Sequence, residues 1–78
     1  MASAEDTRLA VELEYYSQQK SNWLRMRSGQ YVVVKDRTVL GFYPNFELAY
    51  RAGAGAFGIH TDFLVKQILE HEPVFFVF

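Results

Sequence analysis

The sequence predicts a single small α+β domain, with elements in the order helix, strand, strand, helix, strand, strand and two helices packed on a three- or four-stranded sheet. Three observations carry that expectation. The chain has 78 residues, room for one hydrophobic core and no second domain. Half of it is hydrophobic and 17% aromatic, with 22% charged, which argues against intrinsic disorder. The apolar spacing also changes along the chain, from helical recurrence to dense β-branched runs and back.

Residues 1–5 read as a flexible start and 6–78 as the domain. From Asp6 to about Arg27, Leu9, Leu13, Tyr16 and Trp23 recur at helical spacing with Lys20 between them, while Glu12, Glu14, Gln18 and Gln19 fall elsewhere around the wheel. Asp6 or Thr7 is placed to cap this helix. Arg25 and Arg27 complement its C-terminal dipole, and Ser28-Gly29 ends it. Gln30–Lys35 and Val39–Tyr43 follow as strands rich in β-branched and aromatic residues. Asp36-Arg37 turns between them. Without the glycine that a tight two-residue hairpin favours, a longer loop is expected there.

Both strands are apolar on both faces, so the sheet must be covered on both. After Pro44, Asn45 is a suitable cap for a second helix, whose stripe is Phe46, Ala49, Tyr50, Gly53 and Phe57 and whose terminating glycine is Gly58. Residues 59–62 form a loop, Phe63–Leu69 a third strand, residues 70–73 a turn and Val74–Phe78 a fourth strand. The third strand can neighbour the second, with a right-handed crossover, or lie beside the first in an antiparallel sheet; the sequence leaves both orders open.

Composition narrows the function. There is no cysteine, hence no disulfide framework and no thiolate nucleophile or ligand. The N-terminal stretch lacks a secretory pattern and no apolar run approaches membrane-spanning length, so a soluble cytoplasmic protein with no membrane role is expected. Gly53-Ala-Gly-Ala-Phe-Gly58 is glycine-rich, but it closes a helix instead of opening one after a strand. It therefore lacks the context of a phosphate loop and reads as close helix–sheet approach at Gly53 and Gly55 with a cap at Gly58. His60 and Asp62 are separated from His71 and Glu72 by the third strand, roughly 20 Å at ~3.3 Å per residue, too far for one metal centre. The serines sit on no nucleophile elbow. No catalytic residue, metal, cofactor or small-molecule substrate is expected.

Two binding readings remain. The C-terminal Val74-Phe-Phe-Val-Phe78 carries no charged side chain to blunt a sheet edge. It is therefore either internal to the sheet or covered by another chain. This favours a protein-interaction module, an adaptor or regulator acting by self-association or through a partner protein, with Tyr31, Tyr43, Phe75, Phe76 and Phe78 as contact candidates. On that reading Phe76→Asp loses association or solubility. The alternative is nucleic-acid binding through Lys20, Arg25, Arg27, Lys35 and Arg37, a stretch containing Asp36 as its one acid. It requires the end of the first helix and the hairpin tip to be adjacent. The net charge of −1 weighs against it.

From Leu13 to Phe78, nearly the whole chain, the sequence resembles a family of small, mostly bacterial proteins of unknown function, with the pattern GxYVVxKxxxVxGFFxxxxEAYxxGxxxFGxxxFLVxQxLxxEPVxF preceded by a helix rich in Leu, Tyr and Lys. Gly29, Tyr31, Val32, Val33, Gly41, Phe42, Glu47, Ala49, Tyr50, Phe57, Gly58, Phe63, Val65, Gln67, Glu72 and Pro73 carry the likeness. The departures are Asp36-Arg37 at a hairpin tip that usually holds glycine and a slightly long loop at 59–62. The resemblance implies no catalytic residue. Some members are similar to products of genes lying near retropepsin-like aspartic proteases, which implies a protein partner. Two polar residues in the pattern stand out, Gln67 inside an apolar strand and Glu72 before a proline, expected to satisfy a buried backbone group and to cap the Pro73 turn.

Overall fold

A computed structural model describes residues 9–58, 60–71 and 76–77. It is a small α+β domain built from an antiparallel sheet and two helices: α1 (Ala10–Arg27), β1 (Tyr31–Lys35), β2 (Thr38–Tyr43), α2 (Phe46–Phe57), β3 (Leu64–Gln67) and a two-residue β4 (Phe76–Val77). The sheet order is β2-β1-β3-β4, with every neighbouring pair antiparallel. Of the two orders the sequence left open, the third strand therefore lies beside the first. β2 and β3 run parallel to each other with β1 between them, and α2 connects them across it. The expected flexible residues 1–5, the Asp6–Thr7 helix start, the Glu72-Pro73 turn, Val74, Phe75 and Phe78 lie outside the described residues.

The sheet is the middle of three layers. Val32, Val34 and Leu64 face α1, where Leu9, Tyr16, Trp23 and Ile68 complete a buried cluster. Val33 and Val65 face α2, packed with Ala49 and Phe63. Val32, Val33 and Val34 are all 0% exposed. A strand apolar at consecutive positions is thereby used on both faces, as its composition demands.

α2 follows its sequence signals residue by residue. Asn45 is extended and its side chain accepts a hydrogen bond from the Leu48 N–H at 2.9 Å. Gly58 ends the helix at φ 88° and donates its N–H to the Ala54 carbonyl, a left-handed position suited to glycine. A Cβ at Gly53 would sit 2.7 and 2.8 Å from Cδ2 and Cζ of the Phe63 ring, so the helix approaches through that glycine. Gly55, expected to share this role, is exposed with nothing near its Cβ position.

Within the described residues α1 begins at Ala10 with Leu9 in the capping position and no side-chain cap. Leu9 is 0% exposed, so its burial anchors the entry to the helix. At the other end Gly29 takes φ 87°. Its N–H donates to the Ile68 carbonyl at 2.7 Å, and the Ile68 N–H returns to the Gln30 carbonyl at 2.8 Å.

The hairpin corrects a second expectation. Lys35 pairs with Thr38, leaving a two-residue loop, and the register shifts so that Val33 faces Gly41 while Val34 faces Val39. Leu40 is the extra residue of a β-bulge. Asp36 itself adopts φ 56°, supplying the left-handed turn conformation without glycine. Its N–H donates at 2.6 Å to the Glu12 carboxylate. Glu12 is only 3% exposed, a buried acid in a helix position the sequence assigned to the polar side. We expect Asp36→Gly to stabilise the fold by about 0.5–1 kcal/mol, because glycine enters this region freely. Glu12→Ala should cost about 1.5–3 kcal/mol by removing a charge-assisted bond and leaving a donor unmet. Urea unfolding midpoints check both; equal midpoints for the two variants would contradict this account of the turn.

Candidate interaction edge

Edge strand β2 has the sequence Thr-Val-Leu-Gly-Phe-Tyr and no charged side chain. Among the described residues it pairs on one side only, with β1. Thr38 is exposed and the other five residues are half-buried. Val39 and Phe42 lean towards α1, Leu40 and Tyr43 towards α2. The strand therefore offers a row of backbone groups flanked by apolar side chains on both faces.

On the α1 side this edge is aromatic and cationic. The Trp23 ring packs edge-on against Phe42 at 5.5 Å between centroids and against Tyr15 at 6.1 Å. Arg27 lays its guanidinium 4.8 Å from the Phe42 ring centroid, and Arg37 lies 5.1 Å from that of Tyr15. Arg37 also donates to the Gln18 side chain at 3.0 Å. Among the described residues neither arginine has a carboxylate partner; the ion pairs there join Lys35 to Asp36 and Arg51 to Glu47.

The five candidate cations do not form one patch. The Glu12–Asp36 bond ties the hairpin tip to the first turn of α1, whereas Arg25 and Arg27 lie in its last turn. Arg27 lies fifteen positions along the helix from Glu12, about 22 Å at ~1.5 Å per residue. α1 and β1 run in opposite directions, so residues close in sequence diverge in space. Lys20 donates to the Glu70 carbonyl at 3.4 Å and Arg25 to the Asn22 side chain at 3.4 Å. Asn22, Trp23, Arg25 and Met26 of α1 are the described residues lining an open hollow of about 430 Å³.

The aromatic candidates divide as well. Tyr31 and Tyr43 are directly opposite on β1 and β2, half-buried against α2. Tyr31 meets Phe46 edge-on at 6.3 Å, and Phe46 continues to Tyr50 at 6.2 Å. These rings belong in part to the core beneath α2. Phe76 lies in β4 opposite Val65; Phe75 and Phe78 are outside the described residues. Gln67 donates to the Gly29 carbonyl at 3.2 Å, a backbone-satisfying role.

Two buried charges escaped the sequence reading. Glu12 is one. The other is Lys66, 7% exposed, whose ammonium lies 5.1 Å from the Tyr16 ring centroid, a cation–π contact. The signal for Lys66 was present, a lone cation inside an apolar strand, but its ring partner is 50 residues earlier. Among the described residues no three His, Cys, Asp or Glu converge as a metal site, and no helix is long and apolar enough to cross a membrane. No protein-family model, no curated protein and no solved structure matches this chain.

Proposed function

We propose that the chain is a small non-enzymatic interaction module, an adaptor or regulator that works through its sheet edge and aromatic surface, by self-association or by holding a partner protein. The observation that supports this is β2, a six-residue edge strand without a charge, paired on one side among the described residues. Proteins that remain alone blunt such an edge with lysine, proline or a cover. Among the described residues the blunting is confined to the bulge at Leu40 and the flanking Arg37 and Pro44. An added strand gains main-chain hydrogen bonds from the edge and side-chain contacts on alternate faces.

Sedimentation of the purified chain across concentrations, together with tagged capture from nuclease-treated lysate, tests the reading. We expect a dimer or one stoichiometric protein complex, weakened at least ~10-fold by Thr38→Lys, which places a charge at an exposed edge position. A monomer that captures nothing, with Thr38→Lys indistinguishable from the parent, would remove it.

A further inference from the structure

Resting on that edge reading, we infer that β2 receives an extended acidic peptide segment, its carboxylates seated on Arg37 at one end and Arg27 at the other. The two guanidiniums flank the strand on the α1 side. Arg37 immediately precedes β2, and Arg27 is carried over it by the Phe42 ring. Because Leu40 is an extra bulge residue, Thr38 to Phe42 spans only the three positions from Lys35 to Val32 on β1, about 10 Å at ~3.3 Å per residue, with Arg37 one residue beyond. Neither guanidinium has a carboxylate partner among the described residues, and each rests on an aromatic ring that orients it. A ring-stacked guanidinium keeps its donors available and matches a carboxylate with two parallel hydrogen bonds.

Charge complementarity selects the occupant. Between the arginines the strand is uncharged, so the complementary segment is apolar or neutral in its middle and acidic towards its ends. Side chains alternate faces along a strand, so the acids must be an even number of positions apart, four or six, to share the α1 side. The bulge at Leu40 interrupts the outward ladder. It favours one short segment over open-ended stacking of edges.

The test uses the full chain, isotope-labelled, and a capped heptapeptide with alternating Val and Thr between terminal glutamates. Backbone amide shifts report where it binds and Trp23 fluorescence how tightly. The inference expects saturable shifts centred on Thr38–Tyr43. It also expects affinity at least ~10-fold lower for the same peptide with terminal lysines, the scale of one charge-assisted bond. The paired substitution Arg27→Glu and Arg37→Glu should invert that preference. Equal binding of both peptides at β2 would overturn the acidic specification while leaving the edge reading standing. No shift in β2 with any peptide at millimolar concentration would overturn the inference, and the sedimentation and capture experiment then decides the broader reading separately. Tighter binding of a thymidine oligonucleotide at the same arginines would overturn it in favour of a nucleic-acid ligand.

Discussion

Replacing Phe63 with alanine should leave this domain largely unfolded in water. Phe63 is 2% exposed and heads the largest fully buried side chains, the others of which are leucine, isoleucine and valine. Its ring lies 6.0 Å from that of Tyr50 and 5.9 Å from that of Phe57. Truncating a buried phenylalanine costs about 3–5 kcal/mol, and a core of this size rarely supplies more than about 3–5 kcal/mol in total. Loss of the far-UV helical signal at 25 °C, or a urea transition displaced to near zero, is the expected reading. A loss below ~1 kcal/mol would mean that the site collapses around the gap.

The same contact gives an internal control. Gly53→Ala adds a methyl group against the Phe63 ring, so overpacking of about 1–3 kcal/mol is set against a helix-propensity gain of about 1 kcal/mol. Phe63→Leu makes room at the ring edge. The pair should therefore couple, with the double variant more stable than the sum of the single changes by at least ~0.5 kcal/mol. Strict additivity would show that the methyl group meets something other than the ring.

Trp23→Ala is the second large effect, on the opposite face of the sheet. Trp23 is 8% exposed and touches the rings of Tyr15, Tyr16 and Phe42, so it joins α1 to the edge strand. Removal should cost about 3–5 kcal/mol, while Trp23→Phe, which keeps a ring there, should recover most of it. Circular dichroism in urea measures both, since Trp23 is the single tryptophan and fluorescence vanishes with it. If alanine and phenylalanine at this position behaved alike, docking of α1 would not depend on the ring cluster.

What could be read from the sequence is what neighbouring residues decide among themselves. Asn45, the Phe46–Phe57 stripe and Gly58 are local signals, and α2 has those bounds. The two-faced apolar composition of Gln30–Lys35 called for cover on both faces, and α1 and α2 supply it. The two-residue turn was missed because Asp36 takes its left-handed conformation with the help of Glu12, 24 residues away. The same long-range bond buries a carboxylate that helical spacing placed among polar residues. The adjacency that a single cationic patch required is not met for a geometric reason, since a helix followed by an antiparallel strand carries its two ends apart. The candidate edge was legible only in part. The C-terminal strand drew attention by its composition, whereas the exposure of β2 depends on strand order, which no local pattern encodes.

That strand order also sets the sequence of events in folding. The middle strand β1 meets β2 through a two-residue turn but meets β3 only after α2 has been laid between them; Val33 pairs with Val65, 32 positions later. Closing the long segment costs more chain entropy than closing the turn, and pairing across it is the slower process. The hairpin therefore assembles before the sheet does, and for that interval β1 carries an open edge of its own. During synthesis the same gap would last until Gln67 has cleared the ribosome, making the half-built hairpin the state most exposed to association with other unfinished chains.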